Sequence, residues 1–379
     1  MLTYKTAGES HGKCILALVE GFPAGVKIDS ETVDRELRRR QGGYGRGARM
    51  AIERDRVEIL SGTKGDITLG SPITLLVRNR DYKIEKLPEV TRPRPGHTDL
   101  AGMLKFLTPD ARPILERSSA RETAARTAAG ALSKILLAEF DIRVLGYVVQ
   151  IGKIKARAGK LSPGEIIKIR DRSPVYTVDR SAERRIIAEI DQAKAAGDSL
   201  GGVFEVIATG VPAGLGSTAQ WSRRLDGCLA QALMSIQAIK AVEIGAGFKA
   251  ASLPGSRVHD EIFYDDKGHE KSGGFYRRTN RAGGIEGGIT NGEPIICRGA
   301  MKPISTLKKP LRSVDVRTKE AVEAQVERSD VCAVPAASVV GEAVVAFELA
   351  RAFLDKFGGD SLPEIRRNYQ NYLEALKEL

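Results

Sequence analysis

Gly21-Phe-Pro-Ala-Gly25 returns in the second half of the chain as Gly210-Val-Pro-Ala-Gly214. Two more segments return in the same order: Ile67-Thr-Leu-Gly-Ser-Pro-Ile73 as Ile289-Thr-Asn-Gly-Glu-Pro-Ile295, and Glu116-Arg-Ser118 as Glu327-Arg-Ser329. One short match is within chance. Three colinear ones indicate related halves, roughly 1-145 and 200-355, joined by a polar connector over 146-199. After each Glu-Arg-Ser the sequence turns apolar and rich in small residues, which predicts buried helices over Ala124 to Phe140 and Pro335 to Phe353. Ser119 and Glu122 have the spacing of a capping box, and Pro335 falls in a first turn, where a missing N–H is harmless. Both Glu-Arg-Ser segments then sit at helix entrances, where free amides favour anions; halves packed about a pseudo-twofold would face them into one cavity.

Working outward, glycines punctuate strand-like runs at Val57 to Leu60, Ile73 to Val77, Val144 to Ile151, Val203 to Thr209 and Pro294 to Arg298. Helical patterns cover Ser181 to Ala196 and Arg224 to Val242, and a charged helix over 362-379 reads as a solvated face or a subunit contact. The pattern gives a mixed α and β protein, with room in 379 residues for two average domains or one large one.

Fifty-nine Lys and Arg against 48 Asp and Glu give a formal charge of +11, so polyanions or small phosphorylated and carboxylated substrates are the expected partners. No apolar run reaches the ~18 residues of a membrane span, and Met1 to Glu9 has no secretory pattern, so the expected location is cytoplasmic. Cys14, Cys228, Cys297 and Cys332 form no CxxC pair, and four histidines without HExxH make no metal site. The phosphate loop of ordinary nucleotide hydrolases and the GxSxG elbow of serine hydrolases are both missing.

Several side chains could carry chemistry. His11 lies between glycines in Gly8-Glu-Ser-His-Gly12, a setting for an acid or base, or simply a turn. His97 sits in the stiffened loop Arg92-Pro-Arg-Pro-Gly-His-Thr-Asp99. Five arginines fall within Arg38 to Arg49 on a glycine-rich loop, open to RNA binding, capture of a small polyanion, a phosphorylated cofactor, or plain solvation. At 5% aromatics there is little surface for stacking bases, which favours the small polyanion. Lys302-Pro-Ile-Ser-Thr306 could meet phosphate or be an ordinary turn, and Asp330 could be catalytic or paired with its neighbouring arginine.

Taken together, Gly8-Glu-Ser-His-Gly12, Arg40-Gln-Gly-Gly-Tyr-Gly-Arg46, Arg94-Pro-Gly-His97, Arg117-Ser-Ser-Ala-Arg-Glu-Thr123, Ser235-Ile-Gln-Ala-Ile-Lys240, Lys302 to Thr306 and Arg328-Ser-Asp330 resemble the chorismate synthase family, in the family's order. The resemblance implies an α+β fold as a single domain over 1-379, a β-α-β sandwich with central helices between antiparallel sheets and two pseudo-twofold halves. It implies anti 1,4-elimination of phosphate from 5-enolpyruvylshikimate 3-phosphate to chorismate, with reduced FMN as cofactor, NADPH entering only as a reductant, no nucleic acid or membrane partner, and a homotetramer. It also assigns residues. His11 protonates the leaving phosphate, His97 lies at the flavin N1 side, and Asp330, with Ser118 or Ser119, moves a proton near N5. Substrate falls to Arg40, Arg46, Arg49 and Arg121. Flavin falls to Arg117, Ser118, Ser119, Gln237 (more usually asparagine in the family), Ala238, Gly287, Lys302, Pro303, Ile304, Ser305, Thr306 and Arg328.

Overall fold

The computed structural model describes residues 1–47, 52–159 and 161–379. Its centre is a pair of helices, Thr123–Ala138 and Val334–Phe357, whose small residues let the backbones touch. A Cβ on Gly130 would meet the carbonyl oxygen of Ala343 at 2.4 Å, so only glycine permits that approach.

Each helix carries a sheet. In the first sheet the order is Thr3–Ala7, Cys14–Glu20, Ile73–Arg78, Val57–Ile59, all antiparallel. Alternation is strict: Ile15, Ala17 and Val19 face inward opposite Ile73, Leu75 and Val77, and the intervening positions face out. In the second sheet the order is Ile239–Ile244, Ile295–Met301, Gly202–Thr209, Arg143–Ile151, Ile154–Lys155. The connector covers its far side, where Leu145 and Tyr147 pack with Ile166 and Val178, and also packs on the helix side, where Val148 and Ile151 meet Ala182, Ile186, Ile190 and Val334. This is the α+β arrangement of helices between antiparallel sheets that the sequence led us to expect.

The repeated segments make repeated bonds. Thr68 and Thr290 donate their hydroxyls to the carbonyls of Pro23 and Pro212, both at 2.6 Å. Gly25 and Gly214 donate their amides to the carbonyls of the same two threonines at 2.9 and 2.8 Å.

Three local expectations need correction. The helix expected over Arg224 to Val242 ends at Met234; Ala238 takes φ 67° and Ile239–Ile244 continues as a strand paired with Ile295–Met301. Tertiary pairing overrides an apolar run that fits either period. Ser119 and Glu122 form no capping box. The serine hydroxyl accepts only the Arg121 amide, while Glu122 accepts from Thr6, Arg126 and Gln237, and the helix begins at Thr123 after a 3-10 turn. Leu362–Leu376 is not simply a solvated face: Leu362, Ile365 and Tyr369 are buried, with Tyr369 packed on Phe140, Phe353 and Phe357.

Candidate active site

A cavity of about 530 Å³ opens where loops from both sheets meet the N-terminal ends of the two central helices. Ala336, Ala337 and Val340, one helical face, give it an apolar floor. Six arginines and two lysines line it against three carboxylates, so an anionic occupant is favoured.

His11 is delivered by the turn after Thr3–Ala7, where Gly8 (φ 101°) passes so close to the Cys14 carbonyl that a side chain cannot fit. Glu116, with no exposed side-chain surface, receives the His11 amide at 2.7 Å and lies 3.0 Å from Nδ1 through both oxygens. On the other side of the ring, Nε2 lies 3.9 Å from Asp81, which also pairs with Lys83 at 2.9 Å and Arg328 at 3.8 Å. His97 is set up similarly: Nδ1 is 2.5 Å from Asp99, which Arg94 grips through Nε and Nη2 at 2.8 and 3.0 Å. Arg94 then reaches Thr306 at 2.8 Å, and Ser305 and Lys302 donate to the Gly96 carbonyl, joining the His97 loop to the segment 302–306. Burial alone would raise Asp99 and Glu116, but hydrogen bonds from His97 and Arg94, and from His11, outweigh it and hold both carboxyls below their usual range.

Arg40 and Arg121 share one buried carboxylate, Asp55, at 2.7 Å each, and Arg121 also donates to Asn79 at 2.7 Å. Burial, eased by Asp55 but compounded by Arg121 and Arg46, lowers Arg40 to about 10. Cations this crowded call for another anion. Arg46 pairs with Asp330 at 3.0 Å, and Asp330 accepts the Gly47 amide at 2.6 Å. Arg328, 66% exposed in its side chain, stands at the mouth.

The cavity thus gathers His11, His97, Asp330, Arg40, Arg46, Arg121, Ser118, Ser119, Gln237, Ala238, Lys302, Ile304, Ser305, Thr306 and Arg328. Three expected contacts do not line it. Arg117 is exposed and donates to the carbonyls of Thr6 and Gly8, because one helical step from Glu116 turns it to another face. Gly287 sits in the turn of a hairpin beside Thr218, and Pro303 is exposed between Lys302 and Ile304. Arg49 lies outside the described residues. The arginine segment is also less loop-like than its glycines imply: Arg38 to Arg40 close the helix Ser30–Gln41, and Arg39 leaves the site to pair with buried Glu342 at 2.6 Å. Sequence reading missed Glu116, Asp99 and Asp55 as partners; only Asp99, two residues from His97, carried a local signal.

Among the polar atoms of the cavity's residues, Ser118 Oγ and Gln237 Oε1 are buried acceptors without a hydrogen-bond partner. Such atoms suit a polar heterocycle laid on the apolar floor, so the residues present fit a flavin.

Comparison with known proteins agrees with this geometry. The chorismate synthase family model matches residues 2–354. The chain is 58% identical over 391 residues to the chorismate synthase of Geotalea daltonii and 57% identical over 392 residues to that of Geobacter metallireducens, covering all of both chains in each case. A crystal structure of chorismate synthase superposes with a TM-score of 0.82 at 43% identity, covering 100% of this chain and 99% of that one. With its full length matched in sequence and in fold, the chain belongs to the chorismate synthase family.

Proposed function

We propose that this cavity carries out the family's reaction, anti 1,4-elimination of phosphate from 5-enolpyruvylshikimate 3-phosphate to chorismate, the last step of the shikimate pathway, with reduced FMN as cofactor. One observation carries the reading: His11, His97 and Asp330 face a single cation-rich cavity that also holds the unpartnered Ser118 Oγ and Gln237 Oε1. The substrate bears one phosphate and two carboxylates, and FMN a further phosphate. Fixed guanidiniums hold such charges without reorganising during the reaction.

When bound, reduced FMN supplies transient electron density to the allylic system as phosphate departs. The chain does the rest. His11, carrying a proton on each ring nitrogen, gives the one on Nε2 to the leaving phosphate and is left as the Nδ1–H form, with Lys83 and Arg328 beside it to hold the anion. Arg40, Arg46 and Arg121 orient the carboxylates. Gln237, Ser118 and the segment 302–306 would hold the flavin, Ala336 and Ala337 would give it an apolar surface, and His97 would balance its charge. Asp330, fixed by Gly47, receives the proton from the ring carbon. The proposal includes the family's homotetramer, a cytoplasmic location, and NADPH solely as a source of reducing equivalents. It also includes descent of the halves 1-145 and 200-355 from one duplicated unit, which the matched threonine and glycine bonds support. Among the described residues no helix is long and apolar enough to cross a membrane.

Anaerobic titration tests it. Reduced FMN is expected to bind far more tightly with substrate present and to change its absorbance. Protein that shifts RNA at physiological salt and leaves flavin absorbance untouched would overturn the reading.

A further inference from the structure

Two side-chain relays built alike run through the cavity wall. In one, Arg112 lies 3.5 Å from Glu116, and Glu116 lies 3.0 Å from His11 Nδ1. In the other, Arg94 grips Asp99, and Asp99 lies 2.5 Å from His97 Nδ1. Both carboxylates have no exposed side-chain surface and neither lines the cavity, whereas both histidines do. The carboxylates can therefore act on a ligand only through the side chains they hold, the two imidazoles and the two arginines that also line the cavity.

We propose that Glu116 and Asp99 are positioning residues that fix both histidines as Nδ1–H tautomers and turn both Nε2 atoms to the cavity. The claim rests on the functional reading above for its consequence, but not for its geometry. An ionised carboxylate only accepts, so its partner nitrogen at 2.5 to 3.0 Å must carry the proton. Arg94 Nη2 is also 3.0 Å from His97 Nδ1 and would favour the opposite tautomer, but the same nitrogen is 3.0 Å from Asp99 Oδ1. A bare Nδ1 at 2.5 Å from a carboxylate would set two acceptors against each other, so Asp99 prevails. Each arginine neutralises its carboxylate from behind, so the carboxylate holds the imidazole without removing its proton. The Glu116 relay does more, because it also takes the backbone amide of His11 and its own carbonyl takes that of Ser10, latching the entire turn to helix Arg112–Ser118.

The test is long-range ¹H–¹⁵N NMR of protein carrying ¹⁵N-histidine, at about pH 9, above the ordinary imidazole range. There are four histidines, and His11→Ala and His97→Ala spectra assign the two signals. Both are expected as Nδ1–H; either one as Nε2–H overturns the proposal. The second arm is Asp99→Asn. An amide whose oxygen faces Arg94 must present its NH₂ to His97, forcing the Nε2–H form and removing the lone pair from the cavity. Turnover should fall at least about 10²-fold. Retention of both turnover and tautomer would overturn the proposal. Wild-type protein that makes no chorismate but keeps both Nδ1–H tautomers would sink the functional reading alone and leave the positioning role standing.

Discussion

Arg46 and Asp330 meet at 3.0 Å across the cavity, one from the loop after helix Ser30–Gln41 and the other from the stretch ahead of the second central helix. On the proposed roles, the substrate-binding cation and the proton-carrying carboxylate form one ion pair. Arg46→Ala should raise KM and Asp330→Asn should lower kcat, and the double variant should depart from additivity by about 0.5 kcal/mol or more. A double-mutant cycle on kcat/KM checks this; additive losses would separate the two residues.

His11→Ala and His97→Ala should each reduce turnover by about 10²- to 10⁴-fold, the range for loss of a general acid or base. Far-UV circular dichroism should match the parent. Full turnover in either variant removes that histidine from the chemistry.

Asp55 is fully buried between Arg40 and Arg121. Burial would raise it, but the two guanidiniums hold it below the usual carboxylate range. A lowered folded-state pKa means that its stabilisation is present above the unfolded value of 3.8 and drains away as pH falls through that of the folded state. Asp55→Asn removes the carboxylate that Arg40 and Arg121 share, leaving Arg121 with the more distant Glu53 at 4.0 Å, and should cost about 3–5 kcal/mol at neutral pH. Urea unfolding reads the loss; an unchanged midpoint would show that Asp55 does not hold the arginines.

Glu348 behaves in the opposite sense. Its Oε2 pairs with Arg351 Nη2, yet burial pushes its carboxyl up to about 7 against that pull. With the folded value above the unfolded 4.5, stability is full below that lower value and lost as pH rises through about 7. Glu348→Gln should therefore melt above the parent at about pH 8, by up to roughly 3 kcal/mol, and match it near pH 4. Equal differences at both pH values would contradict the buried carboxyl.

The layered fold was legible because its signals are local: small-residue helices after each Glu-Arg-Ser, strands between glycines, and segments that recur in order. Where two periods fit one apolar run, as over Arg224 to Val242, only the partner strand Ile295–Met301 decides, and that partner is remote in sequence. The same holds for the site. His11, His97 and Asp330 stand out by residue type and setting. Glu116 and Asp55 do not, since a carboxylate acquires its role from what packs on it, and His11 lies 105 positions from Glu116. The exposed Arg117 shows the converse: a motif residue can face away from the cavity its neighbours line.

The central claim is that one cation-rich cavity eliminates phosphate with reduced flavin and no net oxidation. The most direct test is an anaerobic single-vessel assay of the protein with chemically reduced FMN and 5-enolpyruvylshikimate 3-phosphate. Equimolar chorismate and inorganic phosphate, with the flavin still reduced at the end, is the predicted result. Phosphate released without chorismate, or flavin oxidised in step with product, would contradict it.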